Sequence, residues 1–299
     1  MTDLRGRVVL VTGASSGLGR AVAAGVAARG ATVLAVSRAG GDGERGVDEL
    51  RRSTGNERHD FLPADLSAQT EVRALAARVR ARHERLDGLV NNAGGFFPRR
   101  RESVDGFEMT FALDHLAGML LTLLLLEPLA AAGGRVVTTA SLSARWGRLH
   151  RDVDLHRGYN GFFAYAQAKL ANLLFTVELG RRLPRSTVAV HAFDPGVVRT
   201  AIGSGHSFLE LCIRVAQAGF GVEPEVGART ALVLLGEALP AGANGGLWRD
   251  GARMPLPRVA RDPRLAARLW DVSVERLALT DEELAPLRRL SAAAAGAGS

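Results

Sequence analysis

The stretch that decides the fold is Thr12-Gly13-Ala14-Ser15-Ser16-Gly17-Leu18-Gly19, a glycine-rich turn between two segments of different character. Residues 7–11 before it are mostly β-branched and predict a short strand, and the alanine-rich residues after it, as far as Arg29, predict a helix. Glycine has no Cβ, so such a turn lets the backbone approach a pyrophosphate, while the N-terminal amides of the helix point at the phosphates. The stretch therefore predicts a dinucleotide-binding turn; the alternative is a tight turn that binds no ligand.

Strands and helices go on alternating along the chain. Further strands are predicted at residues 31–36, 59–62, 88–90, 135–139, 187–193 and 245–248. This alternation implies parallel strands joined by right-handed crossovers, so we predict an α/β fold: a doubly wound parallel β-sheet of about seven strands with helices on both faces. Residues 1–290 are expected to form this single Rossmann-like domain, with a flexible connection at 40–46 and a disordered tail at 291–299.

An apolar segment flanked by glycines, residues 201–225, follows the sixth predicted strand. Ligands of doubly wound folds bind at the carboxyl ends of the strands. The segment therefore predicts a lid over a lipophilic substrate, and ordinary packing is the alternative.

The composition restricts the class of partner. The chain has 299 residues, of which 47% are hydrophobic, and this is ample for one large core. The formal net charge of +7 is spread along the chain, and only Arg99-Arg100-Arg101 forms a dense run. Aromatic residues make up only 5%, so the basic residues lack the aromatic interleaving of a nucleic-acid surface. We expect a hydrophobic small-molecule substrate and no nucleic acid.

Cysteine usage and apolar runs bear on the compartment. Cys212 is the only cysteine, which excludes an internal disulfide framework and a multi-cysteine metal site and fits a reducing compartment; we expect no metal. The first residues show no signal-peptide pattern. The longest apolar run, residues 116–132, is interrupted by Glu127 and Pro128 and is shorter than the roughly 20 residues of a membrane span. The sequence predicts a cytoplasmic protein without an integral membrane span, and a homodimer or homotetramer.

The end of the second predicted strand bears on the choice of cofactor. It reads Ser37-Arg38 and carries no acidic residue. An acid there would accept hydrogen bonds from a free ribose 2′-hydroxyl, whereas an arginine can pair with a 2′-phosphate. The site therefore predicts NADP(H), and the alternative is a solvated Arg38 on a loop.

A phenol and an amine are paired in the segment Tyr165-Ala166-Gln167-Ala168-Lys169, which reads as helix. Residues four apart project from the same face of a helix. Lys and Arg together number 38, and Lys169 is the only lysine among them. A compact ammonium that tunes a neighbour's pKa cannot be replaced by the bulkier, planar guanidinium, which indicates a specific role for Lys169; chance in an arginine-biased composition is the alternative.

Taken together, five elements in this order resemble the short-chain dehydrogenase/reductase family. They are the turn at 12–19, Asn91-Asn92-Ala93-Gly94, Ser141, the segment from Tyr165 to Lys169, and Pro195-Gly196. The resemblance covers nearly the whole chain. It is greatest for the branch that contains retinol dehydrogenases and their bacterial relatives, which also carries a long insertion between the serine and the tyrosine, here residues 144–162.

The resemblance implies hydride transfer between a nicotinamide and a carbonyl or alcohol. In reduction, Tyr165 would give its proton to the carbonyl oxygen, and Ser141, rather than Ser143, would hydrogen-bond the same oxygen. A free phenol has a pKa of about 10, and a neighbouring ammonium lowers it. Lys169 is placed for that role and would also hold the nicotinamide ribose.

The positions that the resemblance assigns to the cofactor follow the strand ends. They are Gly13, Ser15, Ser16, Gly17, Leu18, Gly19, Ser37, Arg38, Asp65, Leu66, Asn92, Ala93, Gly94, Tyr165, Lys169, Pro195, Gly196, Val198 and Thr200.

Asp114 departs from the family pattern, in which an asparagine usually supports a water-mediated proton path to the lysine. An ionised Asp accepts hydrogen bonds but cannot donate, and its charge weakens the field of Lys169 at Tyr165. Either the relay tolerates an acceptor or the activity is slow or specialised. The alternative is a shifted helix in which Asp114 faces elsewhere.

These features predict an NADP(H)-dependent oxidoreductase that reduces a ketone or aldehyde on a fairly large hydrophobic substrate, or oxidises the alcohol. A ketoreductase that tailors secondary metabolites is one candidate. A dinucleotide-binding redox sensor or partner subunit with little or no turnover is the rival hypothesis; Ser141, Tyr165 and Lys169 argue against it, and Asp114 argues mildly for it.

Overall fold

A computed structural model describes residues 2–183, 188–199, 221–240 and 242–296 of the chain. Its centre is one eight-stranded sheet with the strand order β3-β2-β1-β4-β5-β6-β7-β8. The strands are β1 (Val8–Thr12), β2 (Thr32–Ser37), β3 (Asp60–Pro63), β4 (Gly88–Asn91), β5 (Arg135–Thr139), β6 (Ala189–Phe193), β7 (Gly246–Arg249) and β8 (Ala252–Met254).

Helices connect the strands and cover both faces of the sheet. The α-helices are α1 (Gly17–Ala27), α2 (Gly41–Thr54), α3 (Gln69–Arg82), α4 (Met109–Phe111), α5 (Ala117–Leu124), α6 (Leu126–Ala132), α7 (Gly161–Arg182), α8 (Pro224–Gly236), α9 (Pro263–Arg276) and α10 (Asp281–Gly296). A π-helical turn, Ala112–Leu116, joins α4 to α5, and 3₁₀ turns occupy Leu142–Trp146 and Arg258–Arg261.

The central strands are buried on both sides, and their side chains alternate between two cores. In β1, Leu10 packs into one core, whereas Val9 and Val11 pack into the other, and all three are at most 2% exposed. β1 to β7 pair in parallel. Because parallel sheets need helices on both faces, this arrangement confirms the predicted doubly wound α/β fold.

The prediction of about seven strands is corrected by an eighth, β8, which runs antiparallel to β7. The turn between them is Asp250-Gly251, and both residues have positive φ, 51° and 74°. A two-residue turn of this type matches the twist of a hairpin, and Asp-Gly is one of its strongest sequence signals. The hairpin was therefore readable from the sequence and was missed.

Two predictions of flexibility are also corrected. Residues 40–46, predicted to be a flexible connection, include the first turns of α2, and Gly43 packs there so closely that a Cβ would strike the ring of Phe61. Of the tail predicted to be disordered at 291–299, residues 291–296 continue α10, in agreement with the high helix propensity of alanine, and the last three lie outside the described residues. In both places packing or propensity favours helix over the coil that glycine content or terminal position suggested.

Two further expectations concern segments at or near the surface. Residues 200–220, which hold most of the predicted lid, lie outside the described residues, and α8 begins at Pro224. In the part of the chain that the structure describes, no single helix has the length and hydropathy to cross a bilayer. Met109–Leu124 and Leu126–Ala132 have that length and hydropathy only when taken as a pair, and a bend of 61° separates them.

The strand order reverses between β1 and β4. At such a switch point the connections leave the sheet in opposite directions, and a crevice opens at the carboxyl ends of the strands. The glycine-rich turn after β1 and Asn91-Asn92-Ala93-Gly94 after β4 meet at this crevice, which positions the site described next.

Candidate active site

The carboxyl ends of β1 and β4 are joined by the side chain of Thr12. Its hydroxyl donates to the Val90 carbonyl (3.1 Å) and accepts from the backbone amides of Asn92 and Ala93 (2.9 Å each). The Asn92 side chain donates back to the Thr12 carbonyl (3.0 Å). Thr12 was not predicted as a site residue, yet this 2% exposed hydroxyl fixes the two loops on either side of the crevice.

The glycine-rich turn is close-packed and has the backbone conformation that glycine allows. Gly13 and Gly17 have φ of +67° and +50°. A Cβ on Gly13 would lie 3.0 Å from the Ala93 Cα, and one on Gly19 would overlap the Gly13 carbonyl oxygen. Ser16 occupies the N-cap of α1 without a side-chain hydrogen bond to the helix, so the first amides of α1 have no side-chain cap. Exposed amides at such a terminus suit an anionic ligand.

The ends of β2 and β3 also lie together. The Ser37 carbonyl accepts from the Ala64 amide (2.9 Å), and the exposed Arg38 follows directly. The Asp65 carboxylate accepts from the amide and hydroxyl of Ser67 (2.9 and 2.7 Å), and Leu66 is buried. The residues predicted to contact the adenosine therefore lie together at the ends of β2 and β3. The Asp65 carboxylate is hydrogen-bonded to Ser67 in its own loop, and Arg38 is exposed.

The predicted phenol and amine lie on α7, which begins with Asn160 capping the amides of Phe162 and Phe163. The Lys169 ammonium is 5.2 Å from the centroid of the Tyr165 ring. Tyr165 is partly buried, and Lys169 is 4% exposed. The helix therefore places both groups on one face, as their spacing predicts.

Ser141, at the carboxyl end of β5, completes this group. Its side chain lies near enough to Tyr165 to lower the pKa of the phenol, and it accepts from the Ser143 amide (3.2 Å), so it caps the 3₁₀ turn that follows. Ser143 is buried, and its hydroxyl has no hydrogen-bond partner among the described residues. Ser141, whose side chain acts on the pKa of Tyr165, is therefore a better candidate than Ser143 for the partner of Tyr165.

Asp114 lies in the π-helical turn and faces the same group. One carboxylate oxygen, Oδ1, accepts from the Gly95 amide (2.7 Å), and the other, Oδ2, is 3.0 Å from the Lys169 ammonium. The side chains of Asp114 and Lys169 are 0% and 5% exposed. A Cβ on Gly94 would come within 2.9 Å of Oδ2, so only glycine fits there. The alternative of a shifted helix is wrong, and π turns of this kind are frequent at functional sites.

The charges of this group oppose one another. Burial raises the pKa of Tyr165; Lys169 and the Ser141 hydrogen bond lower it, and Asp114 and Asp194 raise it further, so the net direction is upward. The predicted lowering by Lys169 is present but outweighed. Burial alone would lower the pKa of Lys169, but the Asp114 carboxylate and Tyr165 more than reverse this and raise it. Lys169 is therefore held as an ammonium.

The loop after β6 carries the remaining predicted positions. The Asp194 carboxylate accepts from the Gly196 amide (3.0 Å), and Gly196 has a φ of +77°. Val198 is buried and pairs in parallel with Val222. Thr200 lies outside the described residues.

Gln167 on α7 binds the insertion between Ser141 and Tyr165. Its side chain accepts from the His150 amide (3.1 Å) and donates to the Val153 carbonyl (2.9 Å). Within the insertion, the buried carboxylate of Asp154 accepts from the Glu108 amide (3.0 Å) and pairs with Arg276 (2.6 Å). The sequence alone assigned no role to Gln167. Its position between Tyr165 and Lys169 places its side chain on a different face of the helix from those two residues.

A cavity of about 790 Å³ has Leu142, the residue after Ser141, in its lining. Its lining joins the 3₁₀ turn after β5 to the chain segment after β8. The lining residues are Leu142, Arg145, Leu247, Met254, Pro255, Leu256, Pro257, Arg258, Val259, Arg261 and Asp262. Sequence reasoning missed this cavity, because most of the lining comes from irregular chain near the C-terminal end.

A family model described as short chain dehydrogenase matches residues 7–207. The chain belongs to the short-chain dehydrogenase/reductase family. It is 37% identical to human retinol dehydrogenase 11 over 280 residues, which cover 93% of this chain and 87% of the relative. It is 38% identical over 281 residues to a protein of Streptomyces sp. (strain C5) assigned as a daunorubicin C-13 ketoreductase, with 90% and 92% covered.

Solved structures agree with this assignment. An uncharacterised protein from Mycobacterium paratuberculosis superposes with a TM-score of 0.74 at 31% identity, covering 93% of this chain and 95% of that one. A protein from Beutenbergia cavernae assigned as an NAD(P)-dependent gluconate 5-dehydrogenase, which holds NADP at low occupancy, gives 0.65 at 30% identity, with 83% and 96% covered. The predicted family is confirmed, and the protein is an oxidoreductase of the type that binds a nicotinamide dinucleotide.

Proposed function

We propose that this short-chain dehydrogenase/reductase uses NADP(H) to reduce a ketone or aldehyde on a fairly large hydrophobic substrate, or to oxidise the corresponding alcohol. The observation that carries the proposal is the convergence of Ser141, Tyr165 and Lys169 beside the crevice between β1 and β4. The end of β5 and one face of α7 come together there, next to the glycine-rich turn that we propose binds the phosphates. A merely structural cluster would not require this arrangement.

The crevice fits a dinucleotide. Close packing at Gly13 and Gly19 leaves room for backbone but for no side chain, and the uncapped start of α1 offers amides to a phosphate. When bound, the nicotinamide supplies or accepts the hydride. Lys169 and Tyr165 would hold its ribose, and Asn92, Ala93 and Gly94 would lie along it, with the loop at Pro195, Gly196 and Val198 on the other side.

Within the chain, the proton is handled by Tyr165. In reduction the phenol donates its proton to the carbonyl oxygen, and Ser141 hydrogen-bonds the same oxygen and fixes its direction. The net upward direction of the Tyr165 pKa keeps the phenol protonated at neutral pH. This protonation state suits a reductase, because the group that must donate already carries its proton.

NADP(H) rather than NAD(H) is supported by the end of β2. Arg38 is exposed, and none of residues 37–41 at the end of the strand is acidic. Asp65, at the end of β3, is engaged by Ser67. An arginine without a competing acid suits a 2′-phosphate.

A second candidate, a dinucleotide-binding sensor or partner subunit with little turnover, is favoured by the Asp114–Lys169 ion pair. A carboxylate at 3.0 Å partly cancels the field that the ammonium would exert on Tyr165. We place this candidate second because Ser141, Tyr165 and Lys169 are all present, with Lys169 5.2 Å from the centroid of the Tyr165 ring and Ser141 near enough to lower the pKa of the phenol. A cytoplasmic location and a homodimer or homotetramer stay predictions from the sequence.

The test is consumption of NADPH with a panel of hydrophobic ketones and aldehydes, compared between the wild type and Tyr165→Phe. Turnover in the wild type that depends on Tyr165 supports the reductase. Tight NADPH binding without turnover of any member would favour the sensor. A preference for NADH would contradict the cofactor assignment.

A further inference from the structure

We propose that the substrate is amphipathic, with an apolar body and a carboxylate at the end remote from the reacting carbonyl, and that Arg145, Arg258 and Arg261 bind that carboxylate. The proposal rests on the proposed function, because it identifies the cavity whose lining includes Leu142 as the substrate's binding site. It goes further in naming a charge on the substrate.

The lining of the cavity begins one residue from Ser141, the serine proposed to bind the reacting oxygen. Leu142, which follows Ser141 directly, forms part of its lining. The inner lining is apolar, with Leu142, Leu247 and Met254 contributed by the 3₁₀ turn and the β7–β8 hairpin. A cavity of about 790 Å³ lies within the roughly 300–1,000 Å³ that small-molecule sites occupy.

Charge in the lining is one-sided. The lining contains three arginines, Arg145, Arg258 and Arg261, and a single acid, Asp262, and all four residues are exposed. The Asp262 carboxylate is turned into the start of α9, where it accepts from the amides of Arg264 (2.9 Å) and Leu265 (3.4 Å). The lining therefore presents a net positive charge.

None of the three arginines pairs with an acid within the part of the chain that the structure describes. Arg145 lies over the Trp146 ring, 5.7 Å from its centroid, and Arg261 gives only its Nε to the Leu256 carbonyl (2.8 Å). Two arginines elsewhere at this end of the sheet contrast with them: Arg249 pairs with Asp194, and Arg276 pairs with Asp154. The terminal nitrogens of these three arginines are therefore available to bind a planar anion. The paired N–H groups of a guanidinium match the two oxygens of a carboxylate.

The segment that bears Arg258 and Arg261 has a defined shape. The β-pairing of Met254 with Leu247 fixes the N-terminal end of this segment, and Asp262, the N-cap of α9, fixes its C-terminal end. Pro255 and Pro257 fix two φ angles in between, and the hydrogen bond from Arg261 to Leu256 closes the loop. Little ordering is needed when an anion binds, which increases affinity.

The experiment uses two ketones of equal length, one ending in a carboxylate and the other in its methyl ester. With NADPH and the full-length protein, we expect a higher kcat/KM for the acid, and a preference that falls as salt is raised. Arg258→Gln combined with Arg261→Gln should lower kcat/KM for the acid by about tenfold through KM and leave the ester unchanged. Arg264→Gln, an exposed arginine three residues on that does not line the cavity, is the matched control.

Equal kcat/KM for acid and ester in the wild type, or equal losses for both in the double variant, would overturn the inference while leaving the reductase proposal intact. Calorimetric binding of the two compounds to the NADPH complex separates the two proposals. Tighter binding of the acid that the double variant abolishes supports the inference even without NADPH consumption, whereas absence of turnover for both compounds counts against the proposed function alone. Equal binding overturns the inference whatever the turnover.

Discussion

The carboxylate of Asp114 lies 3.0 Å from the ammonium of Lys169, and both side chains are almost completely buried. A buried ion pair is costly to break, because the partner that remains is left as an uncompensated charge. In this site the pair also sets the electrostatic potential at Tyr165, so its removal should change both stability and the pH dependence of catalysis.

Replacing Asp114 by Asn removes the carboxylate that raises the pKa of Tyr165. We expect the rise of the alcohol-oxidation rate with pH to occur at lower pH, with activity kept or increased, as long as Lys169 stays protonated. Because the ion pair is direct, the variant should also lose about 3 kcal/mol of stability. Rate profiles against pH and denaturant unfolding check the two effects. A profile that moves to higher pH, or does not move, would contradict the prediction.

Replacing Lys169 by Met should abolish most turnover and also destabilise the protein, since it leaves the Asp114 carboxylate buried without its cation. In the double variant Asp114→Asn with Lys169→Met, both charges are gone. We expect stability to recover relative to Lys169→Met while activity stays low. Failure of the second substitution to restore any stability would mean that the two charges are not coupled.

Replacing Tyr165 by Phe should reduce turnover by about 10²–10⁴-fold and leave NADPH binding nearly intact, because the proton donor is lost while the contacts proposed for Lys169 and the glycine-rich turn remain. The chain has 2 tyrosines, and the other provides the control. The Tyr159 hydroxyl donates to the Phe97 carbonyl (2.7 Å) and to Glu108 (3.3 Å), so Tyr159→Phe should cost stability but not chemistry. Near-normal turnover in Tyr165→Phe would refute the assignment.

Replacing Arg38 by Asp should weaken NADPH binding more than NADH binding, because it removes the group proposed to pair with the 2′-phosphate and adds a like charge. Arg58→Asp, at an exposed position before β3, should weaken both cofactors equally or not at all. Dissociation constants measured by fluorescence titration decide the matter; equal losses in Arg38→Asp would exclude the assignment.

Burial lowers the pKa of His191 to about 4, and neither ring nitrogen has a partner among the described residues. The unfolded chain binds this proton below its ordinary pKa of about 6.5, whereas the folded chain does not, so stability falls as pH drops from about 6.5 towards 4. His191→Leu should make the unfolding free energy less dependent on pH in this range, by about 1.4 kcal/mol per pH unit. Identical pH dependence in both proteins would show that His191 is not the cause.

Much of the site could be predicted because each motif has a local physical signature. The glycines at 13, 17 and 19 mark a turn that only glycine fits, and the spacing of Tyr165 and Lys169 fixes their common face. The contact of Asp114 with Lys169 could not be predicted, since it depends on a π turn that no local sequence feature indicated. The hydrogen bonds by which Thr12 joins the ends of β1 and β4 could not be predicted either, because a threonine at the end of a strand has no distinctive sequence pattern.

The fold was predicted where strands are apolar and helices amphipathic, and missed where glycine or irregular chain dominates. Gly43 was interpreted as flexible, although its missing Cβ is what lets α2 approach Phe61. The cavity wall at residues 254–262 has no periodicity at all, and only the tertiary fold brings it beside Leu142.

Lys169 is the only lysine of the chain, and it is 4% exposed and paired with a carboxylate. The surface therefore offers amine-directed reagents no side chain, since every other basic cation there is a guanidinium. Acylation of Lys169 would report directly on opening of the candidate active site, with one side-chain label per molecule; because the α-amino group reacts with the same reagents, peptide mapping is needed to locate the label. The same feature rules out lysine coupling as a way to immobilise the folded protein on a solid support without damage to its chemistry.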